Sequence, residues 1–172
     1  MHRSFLRNIA WFLAGTYLLT GCIRYSFTGT SIPSEVNTIY IPFFQDRSNS
    51  GIGNLSDELY SQLINRFVRQ SRLSLANSEE EADAWLRGEI VSYRNQAFTV
   101  TGDEQTSLNQ VQITVRASFQ YADDEKEVWN STVSGSATYD VLNNPVDGEF
   151  EAIDEALEQI ANTMFTNSVS QW

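Results

Sequence analysis

The sequence predicts an α+β fold: a four-stranded sheet with two helices packed on one face, in the order β-α-β-β-β-α. Three observations carry this. Residues 84–141 contain three long stretches in which apolar and polar side chains alternate, the period of a strand with one face buried. Leu55 to about residue 70, and Asp147 to about Ser168, instead repeat apolar residues at helical spacing. A short alternating run, Val36–Phe44, precedes the first helix.

Ahead of these elements the chain has a different character. Arg3 and Arg7 precede an apolar run from Ile9 to Leu19, which ends at Leu19-Thr20-Gly21-Cys22. A basic start, an apolar middle and small residues before a cysteine form a lipoprotein signal, with the Cys22 thiol as the nucleophile that takes the lipid. The run is about half of the roughly 20 residues that a bilayer span needs. Residues 1–21 are therefore expected to be a signal peptide, 22–35 a lipidated tether, and 36–172 a single domain. A diacylglycerol and an N-acyl chain on Cys22 are expected, and no other cofactor. Each buried CH2 contributes about 0.8 kcal/mol, so two or more chains hold a domain at a membrane.

Composition excludes several function classes. Cys22 is the only cysteine and would be occupied by lipid, and the only histidine, His2, lies in the signal. Such a mature chain has no Ser-His-Asp or Cys-His machinery and lacks the usual ligands of a catalytic zinc. The net charge of −11 becomes −13 without Arg3 and Arg7, 9 basic against 22 acidic residues. That is opposite to the basic footprint of a nucleic-acid binder. A carboxylate-dependent enzyme would need two acids at a defined separation in a cleft, and no spacing here specifies one. The chain is expected not to be an enzyme.

The elements follow in order. In Val36–Phe44, Ile39, Ile41 and Phe43 alternate with Thr38, Tyr40 and Pro42; Pro42 cannot donate to a ladder and places the strand's end at an edge or bulge. Gln45–Gly53 is a loop: its glycines and Ser48-Asn49-Ser50 lack the following Lys-Ser or Lys-Thr of a phosphate cradle. The first helix presents Leu55, Leu59, Leu63 and Phe67 as one face, and Arg66, Arg69 and Arg72 cluster at its end, where the helix dipole favours cations. Leu73–Leu75 is short enough to be only a fragment of extended chain, and Asn77–Asp83 is an acidic connection.

Ala84–Phe98 is a long strand with Leu86, Gly88 and Ile90 on one face, and Trp85, Arg87, Glu89, Val91 and Tyr93 on the other. After a polar turn at Thr99–Ser107, Leu108–Ala122 sends Val111, Ile113, Val115, Ala117, Phe119 and Tyr121 inward. Asp123–Lys126 forms a hairpin turn, and Glu127–Val141 pairs back with Trp129, Val133, Gly135, Ala137 and Tyr139 inward. The second helix offers Phe150, Ile153, Leu157, Ile160, Met164 and Phe165 for packing. Its acidic residues suit a helix N-terminus and then a solvated face, and Asp154 with Glu155 or Glu158 reads as such a face. The outward sheet face is a field of Thr, Ser, Gln and Asn, which suits solvent or the polar lumen of an outer-membrane barrel.

These residues resemble the LptE family in its Bacteroidetes form, the lipoproteins that assemble with the lipopolysaccharide translocon barrel LptD. The resemblance rests on Gly21-Cys22 followed by Tyr25 to Pro33, on Thr38 to Phe44, on Leu108 to Val115, and on the ending Ser170-Gln171-Trp172. It implies two helices on a four-stranded sheet. It also implies an outer-membrane lipoprotein that plugs and helps assemble the LptD-type barrel, and that contacts lipopolysaccharide. No Asp follows Cys22 closely and no acidic cluster does, which by resemblance to bacterial sorting patterns implies the outer membrane, facing the periplasm. The family's lipopolysaccharide contacts are basic residues; exposure and charge make Arg94, Arg116 and Lys126 the candidates here. Ala82 to Ile90 also matches a kind of segment shared by peptidoglycan-synthase activators and CsgG-like secretion components, which stand as the alternative.

Overall fold

The computed structural model describes residues 32–98 and 108–169. The expected signal peptide, Cys22 and most of the tether, the Thr99–Ser107 turn and Ser170-Gln171-Trp172 lie outside the described residues. Among the described residues the fold is α+β, with a mixed sheet and two α-helices. Strands β4 (Ala84–Phe98), β5 (Leu108–Tyr121) and β6 (Trp129–Asp140) form the expected antiparallel meander.

Among the described residues the sheet has six strands rather than four. Beyond β4 lie β1 (Thr38–Tyr40) and β2 (Gln45–Asp46), both parallel to it, and β3 (Ser74–Leu75) pairs in parallel with β1. The run Val36–Phe44 does not stay in one ladder, because Pro42 has no N–H to donate. Pairing passes from Tyr40↔Trp85 to Gln45↔Glu89, five steps on one strand against four on the other. The extra residue reverses the inside–outside alternation. Ile39 and Ile41 are buried as expected, but Phe43 is 60% exposed and stacks on Tyr60, while Phe44 is buried over Gly88. Leu73–Leu75 pairs because the intervening helix returns the chain beside β1, the connection that a parallel pair requires.

Asp83 fastens β1 to the start of β4. Its carboxylate accepts the backbone N–H groups of Asn37 and Thr38 at 2.8 and 2.9 Å, and its own N–H donates to Thr38 Oγ1 at 3.0 Å. These bonds, Asn37 first and then Thr38, hold the carboxyl below its ordinary pKa.

Helix α1 (Leu55–Ile64) runs on through a π-helical turn over Asn65–Arg69, burying Leu55, Leu59, Leu63 and Phe67. Arg66 lies over the Phe165 ring at 4.0 Å, and Arg72 donates to the Ile32 carbonyl at 2.9 Å and to that of Pro33. Two members of the basic cluster thus serve packing and the entry of the chain. Helix α2 (Asp147–Val169) meets α1 through Phe67 and Phe165, edge to face at 5.3 Å, and through Gln62 donating to Asp154 at 2.6 Å.

α2 lies over β6 and β5, and it comes close because Gly135 has no side chain: a Cβ there would overlap the Ala156 carbonyl. Its buried face is accordingly built on Ala152, Ala156 and Ala161 together with Ile153, Leu157, Ile160 and Met164. Phe150, expected in that face, is 55% exposed. It sits in the first turn, where Gly148 packs against Tyr139 and takes the inward position.

Candidate functional site

Strands β4, β5 and β6 together present the expected polar outer face. Its rows read straight across the register: Ser92, Thr114 and Ser134; Arg94, Gln112 and Ser136; Gln96, Gln110 and Thr138; Arg87, Ser118 and Asn130. Thr114 Oγ1 and Ser134 Oγ share a hydrogen bond at 2.9 Å. Cross-strand hydroxyl pairs of this kind contribute roughly 0.2–1 kcal/mol and otherwise leave the face hydrated.

A bulge sets how far this face extends. Ile90 pairs with Val115 and Ser92 with Thr114, so Val91 is the extra residue. From there the alternation of β4 is reversed, and Tyr93, expected outward with Trp85 and Arg87, turns to the helix side. Its hydroxyl donates to Glu149 at 2.6 Å, and Asn95 Nδ2 lies 2.9 Å from the same carboxylate and 2.8 Å from the Tyr139 hydroxyl. Burial, followed by the Glu149 contact, pushes the Tyr93 hydroxyl well above its ordinary pKa. The same reversal puts Arg94 outward.

The centre of the face is charged. Gln45, Glu89, Arg116 and Thr132 stand opposite one another across β2, β4, β5 and β6. Glu89 pairs with Arg116 at 2.8 Å and with Arg47 at 3.1 Å. Arg47 comes from the loop after β2, ordered by its own hydroxyls and carboxylate. Asp46 accepts from the Ser48 N–H at 2.7 Å and from the Ser50 hydroxyl at 3.3 Å, and Ser50 Oγ accepts from the Ile52 N–H at 3.1 Å. These groups are used internally, in keeping with a plain loop. Arg87 lies over Trp85 at 4.8 Å and pairs with Glu79.

Of the predicted site residues, Arg116 falls at the centre of the face. Arg94 is exposed opposite Gln112, about 13 Å away at ~3.3 Å per residue. Lys126 is exposed in the β5–β6 turn, about 17 Å or more in the other direction. The structure does not bring these three together, and Cys22 lies outside the described residues. Sequence reasoning missed Arg47: a loop position carries no periodic signal, and only the β2–β4 register places it beside Glu89. Among the described residues no helix is long and apolar enough to cross a membrane, and no group of three His, Cys, Asp or Glu side chains is placed to hold a metal.

The LptE lipopolysaccharide-assembly family model matches residues 36–168. The chain belongs to the LptE family. LptE proteins are non-catalytic lipoproteins of lipopolysaccharide transport, so the expected absence of catalytic machinery agrees with the family. Solved structures resemble this LptE chain in fold. A minor lipoprotein of Acinetobacter baumannii aligns at 15% identity and TM-score 0.51, over 80% of this chain and 93% of its own. A Xanthomonas campestris protein aligns at 11% identity and TM-score 0.59, over 83% and 91%. A hypothetical protein of Chlamydia trachomatis aligns at 11% identity and TM-score 0.50, over 77% and 93%. No curated protein matches the sequence.

Proposed function

We propose that this LptE chain sits inside an LptD-type outer-membrane barrel, with its polar sheet face against the barrel wall, and assists that barrel's assembly for lipopolysaccharide export. The observation that carries this reading is the outer face itself: from Gln96 to Arg87 the rows across three paired strands present Ser, Thr, Gln, Asn and Arg, with Glu89 in the central row, matching a polar lumen. Cys22 carries the diacylglycerol and N-acyl chains, facing the periplasm from the outer membrane. Arg94, Arg116 and Lys126 are the candidate lipopolysaccharide contacts; their separation means that each would meet a different anionic group.

The test is co-purification with the barrel. Thr114→Glu and Ser134→Glu, made singly, bury charge at the proposed interface and are expected to lower barrel recovery at least tenfold, with the isolated domain still folded and its stability lowered by no more than about 1 kcal/mol. Full recovery would count against this face as the docking surface. Cys22→Ala is expected to lower assembly through local concentration alone, so excess tether-free domain should restore it.

A further inference from the structure

Charge differs between α2 and the outer sheet face, while the end of α1 carries Arg66 and Arg69. α2 carries Asp147, Glu149, Glu151, Asp154, Glu155 and Glu158 and no Lys or Arg. The sheet face, in a chain of net charge −11, carries Arg87, Arg94 and Arg116, with Arg47 beside them and Glu89 at the centre. Glu89 lies low between its partners, with its side chain 24% exposed against 63% for Arg47 and 60% for Arg116. The result is a +/−/+ row whose cations stand out from the sheet, beside a shallow depression bordered by Arg87, Ser118 and Asn130.

We propose that the Arg47–Glu89–Arg116 row docks on aspartate or glutamate side chains of the partner barrel's inner wall and sets the register of the two proteins. This rests on the functional reading above and names the chemistry of the wall. Arg47 gives its Nε to Glu89 and its Nε and Nη2 to Gln45 Oε1 at 3.1 and 3.0 Å, and Arg116 gives its Nη1 to Glu89. The Nη1 end of Arg47 and the Nε edge of Arg116 are therefore the parts turned to a carboxylate, the partner that Arg pairs with best. A dianionic phosphate bridging the same two arginines would face Glu89 at close range with twice the repulsion of a carboxylate. On this proposal Arg116 is taken up by the barrel wall, and of the three lipopolysaccharide candidates named above Arg94 and Lys126 remain. The six carboxylates of α2 would be repelled by the same wall, so the sheet face rather than α2 docks, and complementary charge fixes orientation.

The experiment is co-expression with the barrel and measurement of co-purified barrel. Arg47→Glu with Arg116→Glu is expected to lower recovery at least tenfold; Arg47→Gln with Arg116→Gln should lower it less. Arg47→Lys with Arg116→Lys keeps the charge and supplies amines, and with Glu89→Gln removing the internal acceptor, a zero-length carbodiimide should join Lys to Asp or Glu of the barrel, as read by mass spectrometry. Undiminished recovery after charge reversal overturns this proposal alone, as does an intact Lys-variant complex that yields no cross-link. Loss of bound lipopolysaccharide with barrel recovery unchanged also overturns it, in favour of phosphate. If the wild-type chain recovers no barrel, the functional reading falls, and this one with it.

Discussion

The Tyr93 hydroxyl donates to Glu149 at 2.6 Å, tying the far half of β4 to the first turn of α2. Only the Val91 bulge aims Tyr93 at the helix. Tyr93→Phe removes the donor and leaves Glu149 with Asn95, an expected cost of about 1–2 kcal/mol by urea unfolding. The Tyr93 pKa is raised, chiefly by burial, so its contribution is whole below the unfolded tyrosine pKa of about 10 and declines as pH rises above it. Tyr93→Phe should therefore also flatten the alkaline loss of stability.

Gly135→Ala is expected to destabilise by about 2–3 kcal/mol, since the new methyl group must push α2 off β6 at Ala156. A lower urea midpoint with an unchanged slope is the expected readout.

Asp83→Asn should weaken the clamp between β1 and β4 by about 1 kcal/mol at neutral pH. Because the Asp83 pKa is depressed in the fold, its contribution is present above the unfolded value of about 4 and is lost as pH falls through the lower folded value. The variant should lose less stability than wild type as pH falls from about 5 through the lowered folded value.

Strand β6 is a sheet edge, and the Ser136 N–H on that edge donates to Gln159 of α2 at 3.1 Å. Gln159→Ala uncovers this donor where another strand could pair. The expected outcome is greater concentration-dependent self-association by sedimentation, with secondary structure unchanged.

Much of this was legible in the sequence. Val111 to Phe119 and Leu55 to Phe67 are read correctly because each side chain's environment repeats with its immediate neighbours. Phe43 and Tyr93 are misread for one shared reason. Each follows an irregularity, at Pro42 and at Val91, after which the alternation continues in the opposite sense. Pro42 flags its own irregularity by lacking an N–H; Val91 is an ordinary strand residue and flags nothing. Phe150 fits the helical period but lies where Gly148 takes the inward position against Tyr139.

The sequence alone determined the α+β class, the meander, the two helices, the polar outer face and the expectation of a lipid-bearing cysteine, because period and short motifs are local properties. Tertiary structure decided the parallel pairing of the three short strands, the close seat of α2 on Gly135 and the Arg47–Glu89–Arg116 row. Each depends on register between segments far apart in the chain, and a single extra residue in one strand reverses which side chains face out.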